Sequence, residues 1–138
     1  MDGQLIIVIG LPGSGKTHLC REISSLDSSR QIVDDFIGSF YNGNVMNLLT
    51  GKCKLCINDP RLCLKNVFKR FIKIFEQDIG QENIYLILFE NNPEQCKFNV
   101  QNRNDNRKGI LEIVDQYSQR YDIATYSKYD YEIRTVFK

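Results

Sequence analysis

The chain has 138 residues, 42% of them hydrophobic and 25% charged, with 18 Lys and Arg against 17 Asp and Glu for a formal net charge of +1. Such a composition is that of an ordinary globular chain, expected to form a single domain over 1–138, and its balanced charge excludes a protein that grips nucleic acid with its whole surface. No apolar run approaches the roughly 18 residues of a membrane span, and the first run is too short for a signal peptide, so a cytoplasmic place with no membrane partner is expected.

Leu5 to Ile9 is an unbroken apolar run, the pattern of a strand covered on both faces. It leads into Gly10-Leu-Pro-Gly-Ser-Gly-Lys-Thr17, which matches G-x-x-x-x-G-K-[ST] at every fixed position. Glycines let successive backbone N–H groups turn inward as an anion nest, which side chains at Gly13 and Gly15 would obstruct. A helix starting near Lys16 adds the positive end of its dipole. The pattern therefore makes Gly10, Pro12, Gly13, Ser14, Gly15, Lys16, Thr17 and the adjoining His18 candidate contacts to a nucleoside triphosphate. Lys16 would reach the β- and γ-phosphates, and the Thr17 hydroxyl would hold Mg²⁺. The bland alternative is a glycine-rich turn without a ligand.

Thr17 to Leu26 reads as the first helix, with Leu19, Ile23 and Leu26 on one side. Gln31 to Val33 is a short strand running into Asp34-Asp35. Phe36 to Leu49, interrupted by Gly38 and Gly43, predicts a broken helix or mobile loop. Lys54 to Asn58 is a third strand, ending at Asp59-Pro60. Arg61 to Ile79 carries Leu64, Val67, Phe68, Phe71, Ile72 and Phe75 in helical rhythm up to Gly80. Asn83 to Phe89 is a fourth, continuously apolar strand. Asn92-Pro93 with Gln95 caps a further helix through Lys97 and Val100, followed by the polar, basic stretch Gln101 to Lys108. Gly109 separates it from a helix over Ile110 to Tyr121, and Tyr131 to Phe137 alternates as a last strand.

Five cysteines, Cys20, Cys53, Cys56, Cys63 and Cys96, are an odd number in a chain without an export signal, so buried reduced thiols are expected. Cys53, Cys56 and Cys63 resemble part of a zinc site. The second pair of ligands is missing and the only histidine, His18, lies beside the phosphate loop, so zinc is not expected. Among the tyrosines, Tyr117, Tyr121, Tyr126, Tyr129 and Tyr131 fit packing at the sheet edge.

Strands alternating with helices predict an α/β fold, a three-layer P-loop NTPase arrangement with a mostly parallel sheet covered by helices on both faces. In such a sheet the ligand crevice lies outside the C-terminal strand ends, which here carry Gly10 to Thr17, Asp34/Asp35, Asn58/Asp59 and Glu90/Asn91. Asp34 is placed to take the proton of an attacking hydroxyl, with Asp35 as neighbour or substitute; the alternative is a helix cap. Asp59 fits a Walker-B-like residue on the Mg²⁺ water shell, or else an Asp-Pro turn. Arg103 and Arg107 lie four apart in the basic segment 97–108, and on a helix they would share a face. As a lid over the phosphates this segment could supply an internal arginine finger; otherwise it is a solvated face.

These motifs together resemble the small P-loop kinases, most closely the kinase domain of phage-type 5′-polynucleotide kinases. The resemblance rests on GLPGSGKT at 10–17, Asp34-Asp35, Asn58-Asp59-Pro60, and Arg103-x-x-x-Arg107 before a helix ending in Tyr121. It implies ATP and Mg²⁺ as cofactors, Asp34 activating a 5′-hydroxyl, Arg107 on the phosphates and Asp59 near the metal. Val33 and Phe36-Ile37 stand where that family carries arginines. The acceptor is then a nucleic-acid 5′ end, or a small nucleoside or nucleotide seated on Phe36, Phe40 and Tyr41. A nucleotide-binding switch that transfers nothing is the alternative from another class. No N-K-x-D segment is present to read guanine.

Overall fold

The structure, a computed structural model, describes residues 3–138. Its strands are β1 (Leu5–Ile9), β2 (Arg30–Asp34), β3 (Lys54–Asn58), β4 (Ile84–Phe89) and β5 (Asp130–Arg134). The helices are α1 (Lys16–Leu26), α2 (Phe36–Phe40), α3 (Asn44–Thr50), α4 (Lys65–Ile79), α5 (Pro93–Asn102) and α6 (Ile110–Ser118). All five strands are parallel in the order β2-β3-β1-β4-β5, so the predicted α/β class holds. The central strand β1 pairs Leu5 with both Leu55 and Ile84 and is buried at every position, which is why it reads as a continuous apolar run.

Helices cover both faces. On one, Leu19, Cys20 and Ile23 of α1 pack on Ile6, Val8, Cys56, Ile87 and Phe89. On the other, Phe68, Phe71, Ile72 and Phe75 of α4 join Phe36, Val114, Tyr121 and Tyr126 over Leu5, Ile7, Leu86 and Leu88. Crossovers bring every helix back so that the strands end on one rim, where the loop 10–17 lies between the C-terminus of β1 and the start of α1.

Several element boundaries differ from the sequence reading. The stretch 36–49 is two short helices, parted at Gly43, whose φ of 83° suits glycine. The helix expected from Arg61 begins at Lys65, because the Asp59 side chain accepts the Arg61 amide and winds Pro60–Cys63 into a 3₁₀ turn before Leu64 extends. Helix α6 stops at Ser118. Tyr121 lies beyond it and donates its hydroxyl to the Phe89 carbonyl at 2.6 Å. Strand β5 ends at Arg134 rather than Phe137: Glu90 donates its amide to the Arg134 carbonyl at 2.8 Å, then accepts the Val136 amide on its side chain at 3.2 Å, and the chain swings over the phosphate loop. Of the tyrosines, Tyr121, Tyr126 and Tyr129 are core residues and Tyr131 is exposed. No helix among the described residues is long and apolar enough to cross a membrane.

Candidate active site

The loop 10–17 is held from beneath by packing that tolerates no side chain at its glycines. A Cβ on Gly10 would stand 2.5 Å from Ser14 Oγ, and one on Gly13 only 2.4 Å from the Cys96 carbonyl. Gly13 and Gly15 also have φ of 84° and 109°, where glycine alone is unstrained. Lys16 is buried and donates its Nζ to the Leu11 carbonyl at 2.8 Å, curling its ammonium back over the loop. Burial pushes its pKa down; the Cys63 and Cys96 thiols and the Asp35 carboxylate oppose that shift. The first-turn amides of α1 have no acceptor within the helix and open at the same place. The Ser14 hydroxyl is buried with no hydrogen-bond partner. A positive nest with an ammonium folded into it fits a polyphosphate.

Above the loop opens a cavity of about 380 Å³, walled by Pro12, Gly13, Gly15, Lys16, Thr17 and His18 on one side. Asp35, Asn58 and Pro60 form its rim end, and Arg103 and Arg107 reach it from the segment after α5. Gly10 and Ser14 lie behind the loop and shape it without facing the cavity.

The three rim carboxylates have separate surroundings. Asp35, exposed and with a left-handed φ of 47°, faces the cavity. That backbone conformation is uncommon for a residue with a side chain and turns the carboxylate away from the direction β2 would give it. Asp34 accepts Asn58 Nδ2 at 2.6 Å, and the same amide lies 3.4 Å from Cys20 Sγ, so Asp34 is tied toward α1. Asp59 has 0% exposure and does not line the cavity. Its oxygens accept Arg61 Nε at 2.9 Å, Arg61 Nη2 at 2.8 Å, the Arg61 amide at 3.0 Å and the Ile37 amide at 3.3 Å. In this arrangement Asp59 acts as the cap of the Asp-Pro turn, each of its oxygens accepting two hydrogen bonds. Among the described residues no group of three or more His, Cys, Asp or Glu could hold a metal ion. Cys20, Cys56, Cys63 and Cys96 are buried free thiols as expected, Cys56 Sγ lying 3.1 Å from Cys20 Sγ, while Cys53 is partly exposed.

Arg103 and Arg107 do come together, but not on a helix face. Helix α5 ends at Asn102, Asn104 takes a φ of 55°, and the segment forms a turn up to Gly109. Asp105 is the hub: it accepts Arg103 Nη2 at 2.8 Å, Arg107 Nε at 3.0 Å and Arg107 Nη2 at 2.6 Å. The Arg107 guanidinium, followed by that of Arg103, holds the Asp105 carboxyl well below the usual carboxylate range. The expected aromatic wall for a small acceptor is not formed. Phe36 is buried in the core, Phe40 packs on Phe71 at 4.9 Å between ring centroids, and neither they nor Tyr41 line the cavity.

Two contributors escape a reading by strand ends. Helix α5 gives the cavity Phe98, Asn99 and Asn102. The tail gives Phe137, whose amide donates to the Ser14 carbonyl at 3.0 Å and whose ring lies 4.8 Å from that of His18. Asn99 ties the two together, donating to the Gly13 carbonyl at 2.9 Å and to the Phe137 carbonyl. The sequence signal for α5 is Phe98, an aromatic residue on the side of the helix opposite Cys96 and Val100. A second signal was the run Pro60 to Phe75, which holds five cations and no acid.

No protein-family model matches the chain. "Uncharacterized protein R277" of Acanthamoeba polyphaga mimivirus is 99% identical over 138 residues, 100% of both chains. Among solved structures, a fungal RNA kinase superposes with a TM-score of 0.62 at 14% identity, covering 100% of this chain and 77% of that one. Shikimate kinase from Acinetobacter baumannii in complex with shikimate superposes with a TM-score of 0.56 at 13% identity, over 97% of this chain and 83% of that one. The likeness to these two kinases is one of fold. The chain belongs to the family of the mimivirus protein.

Proposed function

We propose that this member of the mimivirus protein's family is an ATP- and Mg²⁺-dependent phosphotransferase that moves the γ-phosphate to a hydroxyl, the 5′-OH of a polynucleotide. The observation that carries the reading is the single cavity on the strand-end rim into which Lys16, Asp35, Arg103 and Arg107 all open. The two kinases of similar fold support the reaction class.

ATP, when bound, would supply the phosphoryl group, and Mg²⁺ would supply positive charge against the charge that develops on it. The loop amides and Lys16 would hold the phosphates, and Thr17, which lines the cavity, would hold the metal. Both oxygens of Asp59 are taken by Arg61 and the Ile37 amide; Asp34, of which only Oδ1 accepts a bond, from Asn58, keeps an oxygen free for the metal's water shell. Asp35 then accepts the proton of the attacking hydroxyl, its oxygen being the carboxylate that faces the cavity. Arg103 and Arg107 close over the transferred group from the opposite wall. Phe137 and His18, their rings tilted 43° to each other, offer aromatic surface at the outer end for the base.

With Phe36 in the core and Phe40 on α4, nothing encloses a small ring next to Asp35, and an open acceptor side suits the end of a strand. The test is transfer of labelled γ-phosphate from ATP to 5′-hydroxyl DNA and RNA oligomers, nucleosides, nucleoside monophosphates and water. Label on an oligomer is expected. Label on a nucleoside alone moves the protein to the small-molecule kinases, and bound ATP without any transfer leaves a switch module. Asp35→Asn should abolish transfer with ATP binding kept; if Asp34→Asn does so and Asp35→Asn does not, the two roles are exchanged.

A further inference from the structure

Helix α4 carries more unpaired positive charge than its packing needs. Between Pro60 and Phe75 the chain has Arg61, Lys65, Lys69, Arg70 and Lys73 and no acid. All five are exposed, and only Arg61 has a carboxylate partner among the described ion pairs. Lys65, Lys69 and Lys73 recur every fourth residue, so they form one stripe on the solvent side, opposite Phe68, Phe71, Ile72 and Phe75. Like charges at that spacing repel and destabilise the helix by a few tenths of a kcal/mol per pair. In a chain with a net charge of +1, that local excess calls for an anionic partner.

The stripe starts at the active site. Pro60 lines the cavity, Arg61 follows it, and α4 opens with Lys65 as the chain turns down from the rim. Arg120 adds a sixth cation at this end, its Nη2 lying 3.4 Å from Asn66 Oδ1. From Lys65 to Lys73 the helix descends about 12 Å, in steps of about 6 Å that are of the order of one nucleotide in an extended strand. A row of cations that begins beside the cavity is the chemistry that tracks the backbone of a single-stranded nucleic acid, each ammonium answering a phosphate.

We propose that the solvent face of α4, with Arg120, is the track on which a single-stranded polynucleotide lies, its 5′ end turned into the cavity at Asp35. This rests on the phosphotransferase reading for the direction of the strand, not for its binding. A narrow row of cations is unlike a membrane-binding face, which needs an apolar ledge beside its cations.

The experiment compares wild type with Lys65→Gln/Lys69→Gln/Lys73→Gln, all surface changes. Fluorescence anisotropy with a 3′-labelled oligouridylate of about a dozen nucleotides reads binding, and transfer to the same oligomer and to uridine 3′-monophosphate reads catalysis. The triple variant should weaken oligomer binding about tenfold or more at low salt and lower the slope of log K against log[salt] by about 2, three phosphate contacts at about 0.7 each. Its preference for the oligomer over the mononucleotide should collapse. Unchanged oligomer binding by the triple variant overturns the track, as does equal loss for oligomer and mononucleotide. Binding of phosphatidylserine vesicles in place of the oligomer also overturns it. Oligomer binding that depends on α4, with no phosphate transferred to any acceptor, keeps the track and discards the kinase reading.

Discussion

At the scale of single residues, Lys16 and Gly13 separate what the loop does from what holds it. Lys16 has given up water for one carbonyl, and burial alone pushes its ammonium toward the neutral form. Such a cation is a stability cost borne for a ligand, so Lys16→Ala should leave the unliganded Tm within about 2 °C of wild type, or raise it. The same change should remove the upward Tm shift that ATP produces. A large fall in unliganded Tm would mean that the Leu11 contact is the residue's main purpose. Gly13 behaves oppositely. Its φ of 84° and the 2.4 Å approach of any Cβ to the Cys96 carbonyl leave α5 nowhere to go. Gly13→Ala should cost about 2 kcal/mol in urea unfolding and lower Tm by about 8 °C even without nucleotide. The fixed positions of the loop were legible in the sequence because each has a chemical reason; that Gly13 also seats α5 was not, since Cys96 is far along the chain.

At the scale of elements, the segment from Arg103 to Gly109 shows where sequence spacing succeeds and where it stops. Two arginines four apart were read as one helix face; they do meet, but through Asp105, in a turn made possible by Asn104 and Gly109. A helix would have placed the guanidiniums side by side with nothing between them, whereas the turn supplies an anion that fixes both. Asp105 is therefore a positioning residue. Asp105→Asn should lower kcat several-fold while the Kd for ATP stays level or tightens, because the arginines keep their charge and lose their orientation. Asp105→Glu should recover part of the rate, and a loss of ATP binding in step with kcat would refute the role. The carboxyl is depressed by its arginines, so whatever the pairing contributes is fully present above the ordinary Asp range and fades only as pH falls below it. No pH dependence of the rate near neutrality should come from this group. The tail is the element least legible beforehand. Tyr131 to Phe137 alternates like a strand throughout, and only the Glu90 side chain, by taking the Val136 amide, ends the pairing and sends Phe137 over Ser14.

At the scale of the whole molecule, the inner strands β1, β3 and β4 were legible because a parallel sheet covered on both faces forces apolar runs, the edge strands β2 and β5 being mixed and half exposed, and that same burial sets how the protein responds to alkali. Cys63 and Cys96 lie in the core on either side of the buried Lys16, and burial pushes their thiols up to about 12 and about 11 from an ordinary 9. Burial likewise raises Tyr121 and Tyr126, whose hydroxyls donate to the Phe89 and Leu62 carbonyls at 2.6 and 2.5 Å. In each case the fold favours the protonated form, while the unfolded chain releases its proton at the ordinary pKa. The stabilisation is therefore complete below about pH 9 and is lost as pH rises toward the folded-state values, by up to about 1.4 kcal/mol per pH unit for each group. Urea midpoints should hold steady from pH 7 to 8.5 and fall steeply from pH 9 to 10.5. Tyr126→Phe, which cannot ionise, should show a shallower fall despite a lower midpoint at pH 7.5. Alkylation gives the independent check: at pH 8 iodoacetamide should modify Cys53 first, with Cys20, Cys56, Cys63 and Cys96 reacting only as fast as the protein opens. Rapid reaction of all five thiols would mean that the core beneath the loop is not closed, and the alkaline transition would then lose its cause.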